Sequence, residues 1–197
     1  MTDIQTCGIV CPTDWVPLPL EPSDSVRHWA KSTAATVSER SRAAGHPLDE
    51  RTLRRDLRER ADDSRRRDPF YAFALYPDGF DTALALIEVD LIHPDATVPE
   101  ITLEWLAEVF SADDFGPPEV TGTVLPVGPA VRIRQNLATK RNRRGAPGLL
   151  RETVTYGIRP DDTNFALMLL ASWTVPGISE ELETAVDEIA QTLTVGF

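Results

Sequence analysis

Between residues 119 and 175, four stretches of strand-forming sequence follow one another with no helical pattern between them. They cover 119–125, 130–139, 149–158 and 165–175, and the joins carry Pro126 and Pro129, Gly145 and Gly148, and Pro160 with Asn164. Parallel neighbours need a crossover of about a dozen residues or more, usually a helix, whereas antiparallel ones can be joined by a short turn. The four strands are therefore expected to run back and forth in one sheet. The last, Phe165-Ala166-Leu167-Met168-Leu169-Leu170-Ala171-Ser172-Trp173, is apolar on both faces. Such a strand belongs in a covered, central position.

Upstream the pattern is mixed. Ile9, Val10, Trp15, Val16, Leu18 and Leu20 are interrupted by Pro12, Pro17 and Pro19. Proline cannot donate to a ladder, so residues 8–20 read as an edge strand or an extended arm. Ser23 or Asp24 is placed to cap a helix carrying Val26, Trp29, Ala30, Thr33 and Val37, closed by Gly45-His46-Pro47. A second, highly charged helix is predicted over 49–63, with Leu48, Leu53 and Leu57 as a thin apolar stripe.

From Phe70 the period becomes two. Residues 70–76 form a strand closed by Pro77-Asp78-Gly79, and 82–92 a longer one with Ala83, Ala85, Ile87, Val89 and Leu91 on one face. Pro99 opens a helix through Ala112 with Ile101, Trp105, Leu106, Val109 and Phe110 inward. Ser179 opens a final helix with Glu180 and Glu181 in its first turn, favourable to the dipole. Its buried stripe is Leu182, Val186, Ile189, Ala190 and Leu193. The expected fold is α+β: an antiparallel sheet of six or seven strands flanked by helices, with an N-terminal helical segment. We read one domain over 1–197, with 1–67 as arm and helices and 68–197 as sheet and terminal helix.

Composition sets the outer limits. A chain of 197 residues with 42% hydrophobic and 26% charged residues can bury one continuous core and is not expected to be disordered. Cys7 and Cys11 are too few for a disulfide framework and lie about 13 Å apart if extended, although a tight turn at Gly8 leaves a bond open. They are read as reduced thiols near a frayed N-terminus. The first residues have neither a basic residue nor an apolar run of signal length, and no segment approaches the roughly 20 apolar residues of a membrane span. The expected location is the cytoplasm, with no membrane contact. Eighteen Arg against two Lys, with abundant Ala, Pro and Asp, match the codon usage of GC-rich bacterial genomes, actinobacterial ones among them.

Ser172-Trp173-Thr174-Val175-Pro176 leads into a helix with Glu180, Glu183, Asp187, Ile189, Ala190, Thr192 and Leu193. With the strand pair, helix and strand run before it, this ending resembles the PsbP/MOG-like fold family, including its LpqN-type actinobacterial members, over about residues 70–197. The resemblance implies a non-catalytic binding or accessory domain. Known relatives associate with a small GTPase, with photosystem II or with the bacterial envelope. The absent signal and lipobox depart from the LpqN type, and the family offers no catalytic motif to transfer.

Charge is unevenly placed. Residues 40–67 carry ten Arg against six acids, and 131–159 carry eight basic residues against Glu152 alone. Removing both from the formal charge of −11 leaves −22 on the remainder. Arg132 and Arg134 share a strand face, and Lys140, Arg141, Arg143 and Arg144 crowd the following turn. These six are the candidate partner-binding residues, fitted to an acidic protein. Nucleic acid is disfavoured, because no aromatic residue is interleaved with the arginines and the acidic remainder repels a polyanion. His28, His46 and His93 are scattered, Asp113-Asp114 and Asp161-Asp162 read as turn formers, and no nucleophile elbow or phosphate loop is present. No catalytic residue, metal site or cofactor is assigned. The expected function is intracellular protein binding as an accessory or adaptor protein. Self-association through the N-terminal arm, a small-molecule enzyme or hydrolase assembled only in the fold, and a structural subunit of a larger assembly remain alternatives.

Overall fold

The computed structural model describes residues 6–138, 150–175 and 177–196. Among them are four helices, a seven-stranded sheet of order β2-β3-β4-β8-β7-β6-β5 and a two-stranded ribbon β1-β9. The strands are β1 (Thr6–Gly8), β2 (Trp15–Pro17), β3 (Tyr71–Leu75), β4 (Ala85–Ile92), β5 (Glu119–Leu125), β6 (Gly128–Ala138), β7 (Leu150–Ile158), β8 (Ala166–Trp173) and β9 (Thr194–Gly196). The helices are α1 (Val26–Ala43), α2 (Glu50–Arg67), α3 (Leu103–Phe110) and α4 (Ser179–Ala190). This is the expected α+β architecture. The chain forms two compact units, Pro12–Glu88 and the remainder.

In the Pro12–Glu88 unit, Trp15, Val16 and Leu18 are buried, and β2 pairs antiparallel with β3 from Trp15↔Leu75 to Pro17↔Phe73. The segment is an edge strand, as expected. The contact with β3 continues on either side, where Leu18 N donates to the Ala72 carbonyl at 2.8 Å and Tyr76 N to the Asp14 carbonyl at 2.9 Å. The cap of α1 is Ser25, whose Oγ accepts from His28 N at 3.3 Å, one or two residues later than expected. Small buried residues on α1, Ala30, Ala34 and Ser41, leave room for α2. The core joins Val16, Leu18, Val37, Leu53, Leu57, Ala72, Ala74 and Tyr76. Burying Leu53 and Leu57 completely contributes about 1.5–3 kcal/mol each. Asp49 caps α2 by accepting from Arg51 N, and the bond from the Thr52 hydroxyl, followed by that from Arg51 N, lowers its pKa. The helix runs a full turn beyond the expected residue 63, to a left-handed Asp68 before Pro69. A charged last turn continues readily as helix, because Arg is a good helix former.

In the other unit, β5 to β8 pair successively and antiparallel, from Glu119↔Arg134, Ala138↔Leu150 and Glu152↔Trp173. Their bounds fall within two residues of those expected. Gly128 closes the β5–β6 turn at φ 140, where an added Cβ would lie 2.3 Å from the Arg159 carbonyl oxygen. Gly157 lets α3 approach the sheet: a Cβ there would stand 3.0 Å from Leu106 Cβ. Ile101, Leu106, Val131, Ile133 and Ala166 form the core on that face.

Four local expectations are corrected. The helix expected over 99–112 is shorter, because Thr102 caps it by accepting from Trp105 N while Asp95 ties Thr97 and Val98 into a turn. Val109, expected inward, is 51% exposed. Ser179 does not cap α4, whose N-cap is Ile178 without a side-chain bond. Nor is the N-terminal stretch frayed from Thr6 onward. β1 pairs with β9, Thr6↔Gly196 through Gly8↔Thr194, and Cys7 is buried there, which raises its thiol pKa.

Candidate functional site

Alternation along β6 sends Val131, Ile133 and Gln135 to the α3 side and Arg132 and Arg134 to the α4 side. On α4, Glu183 and Asp187 are four residues apart and so share one helix face. The two faces meet. Arg132 donates through Nε to Asp187 Oδ1 at 2.9 Å and through Nη2 to Glu183 Oε2 at 3.1 Å. Arg134 donates to Glu183 Oε1 at 2.7 Å and to Glu152 Oε2 at 3.1 Å. Tyr156 donates to Asp187 Oδ1 at 2.7 Å, Ser179 to Glu152 Oε1 at 2.9 Å, and Trp173 Nε1 to Ser179 Oγ at 3.3 Å.

This network binds β6, β7, β8 and α4. Burial opposes the charge of Arg132, but the bonds to Asp187 and Glu183 outweigh it and its pKa is raised. Arg134 is raised chiefly by its bond to Glu183. Burial, then the bond to Asp187, raises the Tyr156 phenol. Two guanidiniums face three carboxylates, so the cluster presents no net positive charge.

Of the six candidate residues, Arg132 and Arg134 are thus engaged within the protein. Lys140, Arg141, Arg143 and Arg144 lie outside the described residues, in the connection between Ala138 and Leu150. Sequence reasoning missed the partners of the two arginines. The available signal was the Glu183–Asp187 pair beside the buried stripe of α4.

Other chemistry-bearing side chains are spent locally. His93 lies against Phe165 with ring centroids 6.1 Å apart, and the His46 ring lies against Gly79. Asp114 accepts from Ala138 N at 2.9 Å. Among the described residues, no group of three His, Cys, Asp or Glu side chains is placed to hold a metal ion. Several open clefts lie among the described residues. One of about 390 Å³ is lined by Glu100, Thr102, Arg159, Pro160, Asp162 and Thr163. Another, of about 280 Å³, is lined by Trp15, Pro17, Trp29, Thr33, Val37 and Arg40. No helix among the described residues is long and apolar enough to cross a membrane.

No protein-family model matches the chain. No curated protein matches it either. Among solved structures it is similar to LpqN of Mycobacterium tuberculosis, described as involved in cell envelope biogenesis. The match has a TM-score of 0.51 at 14% identity and covers 98% of this chain and 84% of that one. The chain therefore has an LpqN-like fold, and the likeness extends well beyond the stretch from residue 70 on which the sequence resemblance rested.

Proposed function

We propose that this chain is a non-catalytic protein-binding accessory domain of the cytoplasm, and that it engages an acidic protein partner through Lys140, Arg141, Arg143 and Arg144. One observation carries the reading: Glu152, Glu183 and Asp187 take up both arginines of β6. The four basic residues of the 139–149 connection have no acidic neighbour within it. The 139–149 connection therefore carries a formal charge of +4 on a chain of formal charge −11. Such a patch steers association with an acidic surface and loses strength as salt screens it.

The test is affinity capture from the native host at low salt, comparing the natural chain with the Arg141→Glu, Arg143→Glu, Arg144→Glu variant. The expected result is a partner that the variant fails to retain and that salt elutes. An unchanged set of captured proteins would remove the reading. A small-molecule site is the alternative, and the cleft around Arg159 is where it would sit. A role at the cell envelope rests on the fold likeness to LpqN alone.

A further inference from the structure

Strand β5 forms seven consecutive pairs with β6 and, among the described residues, pairs with no strand on its other side. An open sheet edge is a template for another strand, and proteins usually blunt it with Lys, Pro, a bulge or brevity. Between Glu119 and Leu125 there is no Lys and no Pro, and the register with β6 has no bulge. The opposite edge, β2, is three residues long and contains Pro17. On β5, Val120 is 45% and Val124 75% exposed. Both lie on the face of Ile133.

The order Val120-Thr121-Gly122-Thr123-Val124 reads the same in both directions. In an antiparallel pair with a two-fold axis at Gly122, Val120 stands opposite Val124 of the second copy, Thr121 opposite Thr123, and Gly122 opposite itself. Every central pair is then apolar on apolar or hydroxyl on hydroxyl, the matches that stabilise neighbouring strands. Isologous contact is the usual form of a dimer. A palindrome serves a strand that meets its own copy, whereas an unrelated segment has no need of one. Nothing lies within 4 Å of where a Gly122 Cβ would be, so the axis position is open.

We propose that two copies of this chain associate through β5, antiparallel about a two-fold axis at Gly122. Paired edges alone cover less area than a stable interface, so the dimer is weak and concentration-dependent. Each copy carries −11, so added salt strengthens the association by screening repulsion. That response is opposite to the one expected for the basic connection, on which this inference does not depend.

Sedimentation velocity of the full chain over a wide concentration range at low and high salt tests it. The natural chain should shift from monomer to dimer, more readily at high salt. Val120→Lys with Val124→Lys sets like charges opposite each other twice and should abolish the dimer. Val120→Lys with Val124→Glu sets two opposite-charge pairs across the axis and should restore it. Should the double-lysine chain fail to fold, as circular dichroism would reveal, Thr121→Lys with Thr123→Lys is the disruptor to use. A chain that stays monomeric throughout, a dimer indifferent to the lysine pair, or no recovery with the Lys/Glu pair would each overturn the proposal.

Discussion

Asp56 lies on the buried side of α2, between Leu53 and Leu57, and a carboxylate there must be hydrogen-bonded to be tolerated. Tyr76 Oη and Ala83 N both donate to its Oδ2 at 2.8 Å, and Arg60 approaches Oδ1 at 3.5 Å. Tyr76→Phe removes one donor and leaves the buried acceptor short of a partner. The expected cost is about 1–3 kcal/mol, read from urea unfolding with the m-value unchanged. Burial first, and then the charge of Asp56, push the Tyr76 phenol above its ordinary pKa of 10.0. Tyr156 is raised in the same direction. In the unfolded chain these phenols ionise near the ordinary value, while the folded protein keeps their protons. Above that pH the unfolded state binds fewer protons, so stability is complete below about pH 10 and falls as the pH rises further. Melting curves from neutral to alkaline pH should show this decline, and it should be shallower in Tyr76→Phe.

At the scale of elements, α2 is tied to β4 by a charge pair. Arg67 in its last turn donates through Nε to Glu88 Oε2 and through Nη2 to Oε1, both at 2.8 Å, and Ser64 Oγ donates to Oε1 at 2.8 Å. The bond to Glu88 raises the Arg67 pKa. Glu88 is 5% exposed, whereas the Arg67 side chain is 47% exposed. Removing the arginine strands a buried carboxylate, but solvent at the arginine end moderates the loss. Arg67→Ala should cost about 2 kcal/mol, below the range for a fully buried pair. Replacing both residues, Arg67→Met with Glu88→Leu, should recover much of that, because no charge is left buried. Denaturant midpoints of the two variants decide it; equal losses would mean that the pair is not the source of the effect.

Across the whole molecule, the two ends of the described chain meet in the β1–β9 ribbon. Val10 N donates to Thr192 Oγ1 at 2.9 Å, and Thr192 Oγ1 donates back to the Val10 carbonyl at 3.1 Å. Leu193, beside this bond, is fully buried. Deleting the chain through Val10 strips β9 of its partner. A loss of about 2 kcal/mol corresponds to a fall in Tm of roughly 4–8 °C for a chain of this size. Scanning calorimetry of the truncated protein checks it, and an unchanged Tm would show that the ribbon adds no stability.

Residue order by itself determined the antiparallel run from 119 to 175, both N-terminal helices, the closing helix and the α+β class. Those features follow from local causes: alternation, helical spacing, caps and turn residues, all acting within a few positions. Only the tertiary structure decided that Arg132 and Arg134 meet Glu183 and Asp187, about fifty residues further along. It also decided that Asp56 and Glu88 are buried, and that β1 finds β9 across nearly the full length of the chain. The three-residue strands β1 and β9 carry too little periodicity to be seen, and a charge reads as solvated until the opposing surface is known. Which faces meet is settled by packing, and no short window of sequence contains it.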